Sequence, residues 1–352
     1  MRFTYEANLP RVVFGAGSFA SLPEEIDRLS AKRILIVSTP GRSGVVERAA
    51  ELLGDRLGGT FNEAVVHVPE EVAARAIIAA ASARADGILS IGGGSAIGVS
   101  KAIAIATNLP IVAVPSTYSG SEMTPLWGLT RHGVKHTGRD SRVQPRIVIY
   151  DPELTLDLSA SVSGASGINA IAHCVEALYA RDANPVTSWM SEEGIRSLGE
   201  SLPIIVDAPH DIEARTGAMY GAWLAGAALA SVQMGLHHKL CHVLGGSFDL
   251  PHAETHAVLL PYTAEFNAPS ASDAMSRVAR ALNATNAPAA LHKLCRRLPI
   301  PHSLAEIGMA ESDLDAAASI AMEQTYPNPR AVSKADVAAI LEKAFAGEPI
   351  KT

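Results

Sequence analysis

The sequence predicts an N-terminal α/β domain with a doubly wound parallel sheet, followed by an all-α C-terminal domain. Up to about residue 152, short aliphatic runs alternate with helix-length stretches, the pattern of buried parallel strands joined by crossover helices. Beyond about Leu154 the strand signal fades into Ala-rich helical stretches broken by Pro and Gly. A chain of 352 residues also exceeds what one ordinary core fills. The expected division is residues 1–155 and 156–352.

In chain order, "RILIVST" (Arg33–Thr39) reads as a strand, followed by the turn "PGRSG" and a helix through Leu53. "FNEAVVHVP" is the next extended run, then the helix "EEVAARAIIAAASARA" and the buried strand "GILSIGGG". The helix "SAIGVSKAIAIAT" leads to the strand "PIVAVPST", and "RIVIYDP" at 146–152 closes the domain. The second half opens with "SASVSGASGINAIAHCVEALYA", Ser- and Gly-rich before it turns helical. Further helices are expected at 185–201, 211–234, 236–244, 253–267, 271–283, 287–297, 312–322 and 333–346.

Composition narrows the function. The chain is 48% hydrophobic and 18% charged, as expected of a well-buried enzyme. A net charge of -7 excludes the basic footprint of a nucleic-acid binder and requires that any anionic substrate be held by local groups. Three cysteines without CxxC spacing indicate a reduced, cytoplasmic protein. No signal peptide is visible at the start, and "GAMYGAWLAGAALASVQMGL", the nearest thing to a membrane span, reads as a buried core helix.

Two segments suggest a nucleotide site. "SIGGGSAIGVSKAIA" places Gly92, Gly93, Gly94 and Ser95 between a strand and a helix, where a diphosphate meets free helix N–H groups. A tight strand-to-helix turn would look the same. "PSTYSGSEMT" puts Ser116, Thr117 and Ser119 at a strand's carboxyl end, available to phosphate or nicotinamide groups or serving only as a solvated turn. Lys135 suits a hairpin arm reaching back over this site, or is a surface lysine.

"MGLHHKLCHVLGGSFDLPHAETHA" carries five of the twelve histidines: His237, His238, His242, His252 and His256. His238 and His242 share a helix face, as do Asn169 and His173. His237 points about 100° away from His238. Gly245 and Gly246 are expected to end that helix, with His252 returning from a loop. Imidazole is the commonest metal ligand and also a proton donor near neutral pH. Each histidine singly fits a hydrogen-bonded core residue; the group together points to a site.

These motifs, with "RVVFGAGS" and "YDP", resemble the iron-containing (group III) alcohol dehydrogenase family over nearly the whole chain. The resemblance implies a Rossmann-like N-terminal domain, a helical catalytic domain of dehydroquinate synthase-like architecture, an active site in the cleft between them, and a homodimer. It makes Gly93, Gly94, Ser95, Ser116, Thr117, Ser119 and Lys135 cofactor contacts. It places Thr39 where NAD-preferring relatives carry an acidic residue, so NADPH as well as NADH is expected to be accepted.

By the same resemblance, the family's metal ligands, an Asp and three His, match Asn169, His173, His238 and His252. Asn169 supplies no charge, so no metal is expected; otherwise iron or zinc would be the ion. Glu176 is a poor substitute for the missing carboxylate. The doubled His237–His238 resembles a branch that reduces an alkene conjugated to a ketone, in a small oxo-dicarboxylate from bacterial aromatic degradation. His238, His242, His173, His252, Asn169 and His237 are then the catalytic set, with His237, His238 and Lys239 gripping carboxylates and Tyr118 and Ser119 behind them. The competing expectations are a metal-dependent alcohol or lactaldehyde oxidoreductase, a lyase of the dehydroquinate synthase type, and a nucleotide sensor without catalysis. No nucleic-acid or membrane partner is expected.

Overall fold

A computed structural model of the chain describes residues 2–6, 9–131 and 134–351. Two compact units are present, residues 9–158 and residues 159–351 with 2–6.

The first unit runs β1 (Arg11–Phe14), α1 (Leu22–Arg28), β2 (Ile34–Ser38), α2 (Ser43–Leu53), β3 (Leu57–Phe61), α3 (Glu70–Ser82), β4 (Gly87–Gly92), α4 (Gly94–Thr107), β5 (Ile111–Pro115), β6 (Leu126–Arg131), β7 (Val134–Arg139) and β8 (Ile147–Tyr150). Six strands form a parallel sheet in the order β1-β8-β5-β4-β2-β3, and β6 and β7 form an antiparallel hairpin. Alternation along each strand divides the core. Ile34 and Ile36 pack with Phe19, Leu22, Ile26 and Ala49 on one face. Leu35 and Val37 pack with Ala76, Val99 and Ile103 on the other. Strand order reverses between β2 and β4, so their carboxyl ends open the crevice where such sheets bind ligands.

One strand lies elsewhere than expected. "FNEAVVHVP" is mostly loop, with Val66 exposed and His67 and Val68 at positive φ (62° and 49°). The strand is the preceding "LGGTF", concealed by two glycines. A side chain at Gly58 would come within 3.2 Å of the Ala83 carbonyl oxygen, so close packing rather than β propensity selects that residue. The N-terminal "RFTYEANLPRVVFGAG" reads in sequence as two short strands flanking an "ANLP" turn, and the structure differs. Residues 2–6 carry no strand, because they lie with the helical unit, where no sheet offers a ladder; only β1 forms. The expected "ANLP" turn begins at Ala7 and Asn8, outside the described residues.

The second unit contains α5 (Ala160–Tyr179), α6 (Pro185–Asp207), α7 (Ile212–Ser231), α8 (Leu236–Ser247), α9 (His252–Asn267), α10 (Ser272–Ala281), α11 (Ala287–Arg297), α12 (Leu314–Ala321) and α13 (Lys334–Ala346). Side-chain caps start several of them: Ser159 on α5, Asp211 on α7, and capping boxes at Asn184 on α6 and Ser333 on α13. Small residues let helices approach closely. A Cβ on Gly167 of α5 would meet Leu202 at 2.5 Å, and one on Gly221 of α7 would meet the Gly194 carbonyl of α6 at 3.0 Å. No helix of the described residues is long and apolar enough to cross a membrane.

Two helix ends move outward from expectation. α6 continues through Pro203 to Asp207, and α8 continues through Gly245 and Gly246 to Ser247. Leu236, Leu240, Val243 and Leu244 bury one side of α8 in a large cluster with α9, α12 and α13. That packing outweighs the roughly 1 kcal/mol by which a glycine disfavours helix.

Candidate active site

The glycine turn sits at the switch point of the sheet. Gly92 holds φ +143°, a conformation L side chains rarely adopt, and a Cβ there would lie 3.9 Å from the Thr39 hydroxyl. Gly93 packs on Thr117, whose Oγ1 would be 2.7 Å from an added Cβ. Gly94 faces open space, and Gly93 begins α4 without a side-chain cap, so the first N–H groups of the helix have no cap group covering them. Ser95 lies on the first turn of α4. The Ser116 backbone N–H donates to the Gly92 carbonyl at 3.1 Å, while its buried hydroxyl has no protein partner. The structure thus brings Thr39, Gly93, Ser116 and Thr117 to one turn, with room over Gly94. This cradle fits the diphosphate of a dinucleotide.

Beneath the hydroxyl loop runs a buried polar network that the sequence did not announce. Glu122 accepts from the Tyr150 hydroxyl at 2.8 Å and from Ser119 at 3.1 Å. The Lys101 ammonium donates to the carbonyls of Ser121 (2.7 Å), Thr124 (2.9 Å) and Leu126 (2.6 Å). Burial pushes the Glu122 carboxyl up and Lys101 down to about 7. These bonds pin the loop that positions Ser116 and Thr117. Tyr118 is fully buried. Lys135 stands on β7 opposite Thr130, its aliphatic stem over Gly128.

In the helical unit, α5, α8 and α9 bring the histidines together. His173 and His238 meet at 2.8 Å, Nδ1 to Nε2. Glu176, one turn after His173, is buried and accepts four N–H groups. Its Oε1 takes the backbone N–H of Gly235 (3.1 Å) and His237 (3.0 Å), and its Oε2 takes that of His238 (3.3 Å) and the His238 Nδ1–H. The carboxylate of one helix therefore caps the N-terminus of another and fixes a ring on it. Burial pushes Glu176 up, but the attraction and hydrogen bond of His238, with the backbone N–H of His237, outweigh this and hold it below the ordinary carboxylate value.

His252 is the first residue of α9, not part of a loop, so it meets His256 one turn on, edge to face, with ring centroids 4.6 Å apart. His242 is exposed, its ring centred 6.2 Å from His238. His237 departs from its expected role. It is fully buried, with Nδ1 against Thr263 Oγ1 (3.0 Å) and Nε2 against His256 Nδ1 (2.9 Å), which leaves it no nitrogen for a substrate carboxylate. Lys239 instead reaches Gln324 at 3.4 Å.

Comparison with known proteins matches residues 10–152 to the iron-containing alcohol dehydrogenase model and residues 163–345 to the C-terminal model of the Fe-containing alcohol dehydrogenase family. The chain belongs to the iron-containing alcohol dehydrogenase family. It is therefore an oxidoreductase. Among relatives of this family, it is similar to a maleylacetate reductase of Burkholderia cepacia, 51% identical over 98% of both chains. It is also similar to the crystal structure of a maleylacetate reductase from Agrobacterium tumefaciens, at TM-score 0.94 and 47% identity, covering 99% of this chain and 100% of that one. An iron-containing alcohol dehydrogenase from Corynebacterium glutamicum matches with TM-score 0.94 and 40% identity over 99% and 98% of the chains.

For the iron-containing alcohol dehydrogenases a divalent ion is implied, and the residues expected at its ligand positions are Asn169, His173, His238 and His252. Their chemistry lacks the anionic oxygen that would offset the charge of a divalent iron or zinc ion. The four donors carry no negative charge. The 2.8 Å separation of the His173 and His238 nitrogens is that of a hydrogen bond, whereas two nitrogens on one tetrahedral zinc stand about 3.4 Å apart. Asn169 does present a buried Oδ1 without a protein partner. Glu176 and His256, both noted in the sequence but left out of the expected catalytic set, belong to this cluster. Glu176 lies i+3 from His173 and His256 lies i+4 from His252, a signal visible only if both helices are known to face one cluster.

Proposed function

We propose that this chain reduces the carbon–carbon double bond of maleylacetate to give 3-oxoadipate, in the bacterial degradation of aromatic compounds. The observation that carries the reading is the 51% identity, over 98% of both chains, to a protein of that activity. The geometry is in keeping with it. The alkene is conjugated to a ketone, so hydride addition leaves an enolate, which needs hydrogen-bond or proton donors rather than a strong Lewis acid. His238, with Nδ1–H committed to Glu176, shares a proton with His173 through Nε2 at 2.8 Å, and His242 one turn away opens to solvent. A reduced nicotinamide, seated by Gly93, Gly94, Ser95, Ser116 and Thr117, supplies the hydride. Ser38 ends β2 and Thr39 follows it, with no carboxylate to repel a 2′-phosphate, and Ser38 Oγ bonds Asn62 at 2.9 Å, which supports use of NADPH beside NADH. The uncharged donor set supports metal-independent turnover. The edge position of β1 supports a homodimer, and three buried free cysteines suit the cytoplasm.

The decisive experiment mixes purified protein, NADH and maleylacetate, follows nicotinamide absorbance and analyses metal on the same sample. Absorbance that stays constant at high enzyme concentration refutes the reading. The orphan Asn169 Oδ1 favours one second reading, a metal-dependent alcohol oxidoreductase; stoichiometric iron or zinc, with chelator-sensitive turnover of diols, would support it.

A further inference from the structure

His256 is fully buried on α9, and its ring touches four other imidazoles. The centroids lie 4.6 Å from His252, 4.9 Å from His237 and His238, and 5.9 Å from His173. Its protonation pattern follows from a chain of hydrogen bonds that starts at Thr263. The Thr263 hydroxyl has the carbonyls of Leu259 (3.2 Å) and Leu260 (3.1 Å) as its acceptors. With the hydroxyl proton directed to these carbonyls, its oxygen accepts from His237 Nδ1–H at 3.0 Å. His237 Nε2 is then bare and accepts from His256 Nδ1–H at 2.9 Å. What remains is His256 Nε2, a lone pair on the far side of the ring, buried and without a protein partner. Both rings are fully buried, and one proton lies between them on the 2.9 Å line. The nitrogens and sulfur of His237, Cys241 and His256 lie within 4.8 Å of one another, but the 2.9 Å nitrogen pair holds a proton, not an ion.

We propose that His256 is a further catalytic residue, whose Nε2 lone pair accepts a hydrogen bond from the enol hydroxyl formed on the substrate during reduction. This rests on the functional reading above. A lone pair repels carboxylates, so neither end of an oxo-dicarboxylate fits against it; the enol oxygen is the one substrate oxygen that acquires a proton. In the step, the alkene carbon β to the ketone receives the hydride. The alkene electron pair becomes the bond between the α-carbon and the carbonyl carbon. The carbonyl pair moves onto oxygen, which takes a proton from a donor imidazole and donates it as a hydrogen bond to His256. The α-carbon then takes a solvent proton, the hydroxyl proton returns to the donor imidazole, and the ketone re-forms. One hydride and one proton are consumed, and His256 ends neutral.

Ring-15N-labelled protein tests this directly, with His256→Gln assigning the resonance. The expected spectrum near neutral pH shows His256 Nδ1 protonated and Nε2 bare. Thr263→Val removes the acceptor at the start of the chain, so the tautomers of His237 and His256 reverse and turnover falls about 10-fold, while NADH affinity, read by fluorescence, holds. His256→Gln presents an amide carbonyl and should retain more turnover than His256→Phe, which loses about 100-fold. If His256→Phe does not fold, the spectrum and Thr263→Val decide. A wild type that reduces maleylacetate with His256 Nε2 protonated overturns this inference alone, as do wild-type turnover in folded His256→Phe and a stoichiometric ion lost in His256→Gln. A wild type that does not reduce maleylacetate at all sinks the functional reading, and the enol contact with it, whatever the tautomer.

Discussion

Replacing Glu176 by glutamine is the sharpest perturbation of the imidazole cluster. The carboxylate accepts four N–H groups while buried, at 3.1 Å from Gly235, 3.0 Å from His237, 3.3 Å from His238, and on the His238 ring. An amide keeps one carbonyl, enough for the Gly235 and His237 bonds. Its NH2 then confronts the backbone N–H and the Nδ1–H of His238, donor against donor. Each buried donor left without an acceptor costs roughly 1–3 kcal/mol. His238 can relieve one conflict by moving its proton to Nε2, which reverses its bond with His173. We therefore expect Glu176→Gln to lose about 3 kcal/mol in urea unfolding and about 10²-fold in kcat, with the KM for NADH little changed. The acid limb should change as well. Folded Glu176 lies below its ordinary value of 4.5, so its stabilisation is complete above 4.5 and is lost as pH falls through the lower folded value. The glutamine variant should lack that part of the acid sensitivity. Unfolding within about 0.5 kcal/mol of wild type, together with unchanged kcat, would refute the claim that this carboxylate orients His238.

Other outcomes follow from the same structure. His238→Ala and His242→Ala should each lower turnover by about 10²-fold at constant NADH affinity; wild-type rates would make both ordinary structural histidines. Asn169→Asp adds the missing anionic ligand beside His173, His238 and His252, so it should bind zinc or iron more tightly and reduce maleylacetate more slowly; calorimetry showing equal metal affinity in both proteins contradicts this. His237 takes up its proton near 6.5 when unfolded but near 3 when folded, so its contribution is whole above 6.5 and drains as pH falls toward 3; His237→Phe should flatten that part of the stability curve. Light scattering at micromolar concentration should give the mass of a dimer, and a monomer's mass would remove the interpretation of the β1 edge.

Much of the site was legible from sequence because its parts are local. A strand, three glycines and a helix start within a few residues specify the dinucleotide turn, since only backbone lacking Cβ atoms adopts φ +143° at Gly92 or lets Gly93 approach Thr117. Helical spacing likewise put Asn169 with His173 and His238 with His242. What sequence left open depends on atoms brought from distant segments. Two glycines hid β3, because their value lies in contact with Ala83 and Ile34 rather than in β propensity. The packing of α8 against α9, α12 and α13 carried the helix past Gly245 and Gly246. Glu176 reads as a spare acid until α5 meets the start of α8, and His237 reads as a substrate ligand until Thr263 and His256 take both its nitrogens. Residue spacing determines which side chains share an element's face. Only the tertiary structure decides which lone pairs and protons those side chains have left, because each hydrogen bond made across the fold removes one from the inventory.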